Sequence, residues 1–254
     1  MRIVSLLPSA TEILFALGAG DEVVGVTFEC DFPLEARERT VVSTSTLPEQ
    51  LAQLQPDLVV TQALCAVCAV DQDTVSRVLH EAGCAAEIVT LDPHTIDEVL
   101  ATFSVLGAAV GRQEAAAALV AELRQHLAAL LRWSMLKSLP RVMYLEWVDP
   151  PFAPGHWIPE MIQLAGGEPV MGRRGEASFR TDWDAIRATD PDVIVVGPCG
   201  FDLAAAEQQA EQVRRNAEVP GARVIAVDAN AAFARPGPRL ADGVEQLALL
   251  LHNS

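Results

Sequence analysis

"RIVSLLPSATEILFALGAG" (residues 2–20) opens the chain with a buried-strand pattern that runs directly into a helical one, and the same succession returns after Pro140. "RVMYLEW" (141–147) echoes "RIVSLL" (2–7), "PEMIQLAGG" (159–167) echoes "TEILFALGAG" (11–20), and "DPDVIVVGPCG" (190–200) echoes "QPDLVVTQALC" (55–65). Because all three echoes come in the same order, two similar halves are the economical reading. In each half short apolar runs alternate with helical patterns, the arrangement that yields a parallel sheet with crossover helices.

Working outward, Ser9-Ala10-Thr11-Glu12 reads as a capping box, with Ser9 as the cap, for a helix that stops at Gly18. A strand at Val23 to Thr27, a loop through Thr46, a helix from Leu47 to Leu54 and the strand "PDLVVT" follow. A helix from about Ala69 to Ala82, the strand "EIVTL" and a second capping box, Thr95-Ile96-Asp97-Glu98, complete the first half. From there to Leu136 the chain is rich in Ala and Leu, with Gly107 and Gly111 as weak interruptions and no proline. The expected fold is therefore α/β: two Rossmann-like lobes joined by a single long backbone helix. The expected boundaries are 1–111 for the first lobe, 112–139 for the linker and 140–254 for the second.

Charge narrows the function. The 254 residues carry 34 acidic and 18 basic side chains, a net charge of −16, which repels phosphate backbones and anionic lipid. Nucleic acid and membrane insertion are excluded on this reading. The start lacks the apolar core and cleavage site of a secretory signal, and no apolar run approaches the roughly 18–20 residues of a membrane span. Five cysteines, an odd count, suit a reducing compartment better than a disulfide framework. A cytoplasmic monomer is the expectation, periplasmic or cell-surface if a signal has been removed.

In open α/β sheets ligands bind beyond the carboxyl ends of the strands. Cys30, Cys65, Cys199 and His156 all follow strands, and Cys68 lies three positions after Cys65. These are ligand types that zinc and other soft metals prefer, although a second close cysteine pair is absent. Two other readings stay open: a thiol redox couple at Cys65 and Cys68, and plain packing of small apolar thiols. Aromatic residues are scarce, yet Phe28, Phe32, Trp147, Phe152, Trp157, Phe201 and Phe233 fall in expected strand-end loops, where their faces suit a flat, apolar ligand. Trp157 is expected to matter more to binding than Trp133. "FARPGPR" places Arg235 and Arg239 where they can hydrogen-bond a ligand rim. Signatures of nucleotide binding and serine hydrolysis are missing, and nothing argues for an enzyme.

With these residues in view, "RIVSLLPSATEILFALGAGDEVVGV", "PDLVVT", the uninterrupted linker helix, "GHWIPEMIQLAGGEPV", "DPDVIVV" and "RPGPRLADGVEQLA" resemble the helical-backbone (class III) solute-binding proteins of ABC importers for vitamin B12 and iron chelates. The likeness covers essentially the whole chain, and "CAVC", "PCGFD" and "RPGPR" resemble the cobalamin-binding branch. It implies a corrinoid or related metal chelate held in a cleft between the lobes. The implied contacts are the loops at Phe28 to Phe32, Leu64 to Cys68, Phe152 to Trp157 and Cys199 to Phe201, with the Phe233 to Arg239 segment. It also implies docking to an ABC permease through acidic residues, for which Asp71, Asp73, Glu207 and Glu211 are candidates. Branch members often read His-Glu-Cys-Asp where this chain reads Phe28-Glu29-Cys30-Asp31, so a metal-binding histidine is replaced if that position holds metal.

Overall fold

The computed structural model describes residues 1–42, 47–62, 72–81, 83–216 and 218–252. Chain contacts divide it into two units, Met1–Pro93 with Val99–Ala121, and His94–Glu98 with Glu122–Ser254.

The first unit holds a five-stranded parallel sheet: β1 (Ile3–Ser5), β2 (Val23–Val26), β3 (Thr40–Val41), β4 (Leu58–Gln62) and β5 (Glu87–Leu91), in the order β3-β2-β1-β4-β5. Its helices are α1 (Pro8–Ala16), α2 (Leu47–Leu54), α3 (Gln72–Glu81) and most of α4 (Ile96–Ala109). Val4 and Val59 from the sheet, with Leu6 just after β1, pack with Leu47, Leu51, Val75, Val78 and Leu79 from α2 and α3 in one buried cluster. The central strands β1 and β4 are buried along nearly their whole length, because both faces of a parallel sheet are covered.

α5 (Gln113–Ser134) begins in the first unit and passes at Ala121 and Glu122 into the second. It is the long helix expected within residues 112–139. The stretch from Thr95 is not continuous: α4 ends at Ala109 and Gly111 takes φ +66°, a left-handed conformation that glycine adopts without cost.

The second unit repeats the design. β6 (Arg141–Leu145), β9 (Glu168–Pro169), β11 (Val193–Val196) and β12 (Arg223–Ala226) form a parallel sheet in the order β12-β11-β6-β9. β7 (Trp147–Val148), β8 (Pro151–Ala153) and β10 (Phe179–Arg180) make a separate small antiparallel sheet, order β10-β8-β7. α6 (Ile158–Leu164), α7 (Trp183–Ala188), α8 (Leu203–Asn216) and α9 (Leu240–His252) complete it. Met143, Leu145, Ile194, Val196, Ala210 and Val213 form its buried centre.

The internal echo extends to single hydrogen bonds. Asp57 Oδ2 accepts from the Arg2 amide at 2.7 Å, and Asp192 Oδ2 from the Arg141 amide at 2.7 Å. Arg2 Nε donates to the Leu54 carbonyl and Arg141 Nε to the Asp190 carbonyl, so each arginine also ties the strand start to the segment before the next strand. The "PD" of each half is thus an amino-end clamp.

Two local expectations change. Ser9 does not cap α1: the helix starts at Pro8, whose fixed φ suits a first turn, and Ser9 is buried one position inside. At α4 the capping pair does form, with Thr95 Oγ1 accepting from the Glu98 amide at 3.2 Å, but Glu98 reaches back to the His94 amide rather than to Thr95.

Removing either clamp leaves a strand-start amide without its charged acceptor. Asp57→Ala and Asp192→Ala should each lower stability by ~1–2 kcal/mol in denaturant unfolding, with faster amide exchange at Arg2 and Arg141 respectively.

Candidate functional site

In the second unit the chain leaves β6 at Glu146 and immediately folds into the β7-β8 hairpin. Trp147 and Phe152, expected in a loop, are instead directly paired strand residues, and Phe152 is also paired with Arg180 on β10. Directly opposed residues of antiparallel strands project on the same face, so Trp147, Phe152 and Arg180 share one. Trp147 meets the ring of Phe201, from the loop after β11, edge to face at a centroid distance of 5.3 Å. This face therefore borders the carboxyl ends of the parallel strands. Trp147 is 39% exposed and its Nε1 donates to the Asp149 carbonyl at 3.0 Å, which fixes the indole orientation.

Beneath the hairpin the polar groups are paired. Glu146 Oε1 accepts from the Gly155 amide at 2.9 Å, and burial, partly offset by that bond and one from Ser178, holds its carboxyl above the usual range. Tyr144 is fully buried, donates to the Gly197 carbonyl at 3.1 Å and is raised well above an ordinary phenol by burial, then by the charges of Glu146 and Cys199.

His156 follows with φ +53°, a conformation that costs a non-glycine residue energy and persists only when neighbours enforce it. Here its amide donates to the Glu176 carbonyl at 2.6 Å and its carbonyl accepts from the Gly175 amide at 3.0 Å. Gly155 leaves no room for a side chain, since an added Cβ would collide with the Ser178 amide. The half-buried imidazole lies 5.3 Å from the ring of His94 and 5.8 Å from that of Trp157. His94 is brought here by the α4 start, which Glu160 holds by accepting the Ile96 amide at 2.9 Å while Arg174 bridges Glu160 and Asp97 at 3.0 and 3.2 Å. Burial lifts the Glu160 carboxyl; the Ile96 amide and Arg174 oppose that rise.

Two other expected contacts are structural. Trp157 is 7% exposed and donates through Nε1 to the Phe233 carbonyl at 2.8 Å, while Phe233 is fully buried against Tyr144. Arg235 is also buried and Arg239 half-buried. In the first unit Phe28 and Phe32 are exposed on the loop after β2. Leu64, Cys65, Cys68 and Asp71 lie outside the described residues, as does the side chain of Asp73.

The thiols that are described do not assemble a metal centre. Cys30 is buried in the first unit, with Sγ 3.1 Å from the Thr11 hydroxyl and 3.3 Å from that of Thr27, the environment of a packed thiol. Cys199 is exposed and belongs to the second unit. Among the described residues no group of three or more His, Cys, Asp and Glu side chains could hold a metal ion, and zinc gains no support. The acidic candidates on α8 are engaged: Glu207 pairs with Arg214 at 2.6 Å, and Glu211 with Arg215 at 3.0 Å.

Residues missed from sequence are His94, Glu160, Arg174 and Arg180. The proline pair in "WVDPPFA" signals a turn and could have suggested the hairpin, but nothing local announces that the Thr95 and Glu160 segments meet.

Two variants check this geometry. Gly155→Ala should cost ~2 kcal/mol of stability and release the His156 backbone, visible as loss of the His94–His156 ring contact in NMR spectra. Glu146 has a folded-state pKa above its unfolded value, so the folded state binds more protons in that interval and stability falls as pH rises through it. Glu146→Gln keeps an acceptor for Gly155 but no charge. Its stability relative to the natural protein should therefore rise across the window that begins at the ordinary carboxylate value, and stay flat below it.

Comparison with known proteins agrees with this architecture. A solved periplasmic heme-binding protein, RhuT of Roseiflexus sp. RS-1 in apo form, superposes with a TM-score of 0.79 at 24% identity, covering 99% of this chain and 98% of that one. The ABC transporter substrate-binding lipoprotein YvrC of Bacillus subtilis is 30% identical, the match covering 97% of this chain and 78% of the relative. A cobalamin-binding protein of Halobacterium salinarum is also 30% identical, over 100% of this chain and 70% of its own length. None of these favours the cytoplasmic expectation: the Roseiflexus protein is described as periplasmic and the Bacillus one as a lipoprotein. Among the described residues no helix is long and apolar enough to cross a membrane. Residues 3–227 match the periplasmic binding protein family, and the chain belongs to it.

Proposed function

We propose that this member of the family captures a flat metal chelate, a corrinoid of the cobalamin type first and haem as the related alternative, and delivers it to an ABC permease from outside the cytoplasm. The carrying observation is the aromatic face made by Trp147, Phe152 and Phe201 at the carboxyl ends of β6 and β11. Aromatic rings suit the face of a large conjugated macrocycle and lose little conformational freedom in covering it. The exposed Phe28 and Phe32 offer the first unit's counterpart, at the equivalent end of its own sheet.

In this reading the lobes are 1–111 and 140–254, with the α5 region between them as the linker. Arg235 and Arg239 supply hydrogen-bond donors to the chelate rim, and His156 is the imidazole presented to the ligand. Acidic surface groups would meet basic permease pockets. Those on α8 need their arginine partners displaced first, so docking through Glu207 and Glu211 carries an added cost. The names of the Halobacterium and Roseiflexus proteins support the corrinoid and haem options respectively.

The purified protein should bind cobalamin, cobinamide or haem with micromolar or tighter affinity by visible absorbance and calorimetry. No binding of any of them, or of ferric siderophores, would overturn the proposal. Trp147→Ala should weaken the preferred chelate about tenfold, on the order of 1.4 kcal/mol. Trp133→Ala should leave it unchanged, because Trp133 packs on His252 and under Lys137. Trp157 is unsuitable for this comparison, since its burial and its bond to Phe233 make the variant a test of folding.

A further inference from the structure

Arg180 differs from its neighbours. The exposed guanidiniums of the preceding loop are engaged, Arg173 with Glu176 at 3.7 Å and Arg174 with Glu160 and Asp97. Arg180 is exposed on β10, yet forms no hydrogen bond or ion pair through its guanidinium among the described residues. Its strand position is fixed: the register pairs it with Phe152, which is paired in turn with Trp147. It therefore stands at the end of an aromatic row, on the face that reaches Phe201.

An arginine without a partner among the described residues, in a chain of net charge −16 where acidic groups are abundant, is a cation the fold has kept available. A guanidinium fork matches the two oxygens of a carboxylate or a phosphate, and does so best where a neighbouring apolar surface has already excluded water. Resting on the chelate-binding reading, we infer that Arg180 is a specificity-determining residue, which pairs with an anionic oxygen on a side arm of the ligand while Trp147, Phe152 and Phe201 cover its flat face. The arm carries a carboxylate in a porphyrin with propionates and a phosphodiester in a corrinoid with its nucleotide loop. The chemistry asked of Arg180 is the same in both.

Paired ligands separate the arm from the macrocycle. Haem and its dimethyl ester differ in carboxylate charge, and cobalamin and cobinamide differ in the phosphodiester. Titrating the natural protein, Arg180→Gln, Arg180→Lys and Arg173→Gln with all four at low salt reads the difference. The expected result is that Arg180→Gln weakens haem or cobalamin about tenfold and leaves the member without the anionic arm unaffected. Arg180→Lys should recover part of the loss, and Arg173→Gln should show none. Loss within the haem pair identifies the carboxylate; loss within the cobalamin pair identifies the phosphodiester. If Arg180→Gln binds all four as the natural protein does, if it loses both members of each pair equally, or if Arg173→Gln reproduces its effect, the inference fails while chelate binding stands. If the natural protein binds none of the four, the chelate reading has failed and this inference falls with it.

Discussion

Backbone pairing in the two parallel sheets is the constraint from which the other features follow. Each central strand is bonded on both edges and covered on both faces, so its side chains are committed to the core: Val193 to Val196 are all buried, as are Leu58 to Thr61. Such a strand has only its two ends left for other roles. In both units the amino end is closed by the same device, an aspartate accepting the amide of the arginine that starts the neighbouring strand. Chemistry is left to the carboxyl ends, where Glu146, Cys199 and Asp228 follow their strands.

The second unit builds at that end a surface more rigid than a loop. The hairpin fixes Trp147 and Phe152 by register, and the segment after it is held by the Glu146 acceptor and by the two-bond ladder between His156 and residues 175–176. A carboxylate buried beneath the hairpin opposes stability above its own pKa, yet its bond to Gly155 orients the turn that delivers His156. Strain at a left-handed histidine and desolvation of a glutamate are both costs of placing groups accurately, and both occur within ten residues of sequence.

Much of this was legible before any coordinates. The α/β class, the strands "PDLVVT" and "EIVTL", the long α5 and the order of the repeated halves are written in local periodicity, which depends on residues close in sequence. The site was legible only in outline. Strand-end position put Trp147 and Phe201 in one group of aromatics, and the two rings do meet, because both follow strands that are neighbours in the sheet. It could not distinguish an exposed face from a buried one, so Trp157 and Phe233 were grouped with them although their side chains fill the core. Nor could it find His94 or Arg180. Their placement depends on the capping of α4 by a distant glutamate and on a third strand joining the hairpin, both long-range events without a local pattern.

Charge gives the last step. Acidic residues outnumber basic ones nearly two to one, so an anionic ligand approaches against an unfavourable average field. Most of the surface arginines answer that excess locally: Arg187 with Asp184 and Glu218, Arg214 with Glu207, Arg141 with Glu168. Exposed pairs of this kind contribute little to stability, typically about 0–1 kcal/mol, but each withdraws a cation from the surface. The field that a bound molecule meets at the hairpin is therefore set by the few cations not so withdrawn, and within a Debye length of roughly 8 Å at physiological salt one guanidinium outweighs the distant excess. On the proposed reading, net charge would govern how a ligand approaches this protein, whereas the pairing state of Arg180 on β10 would govern which side arm is accepted once a flat ring lies on the aromatic face.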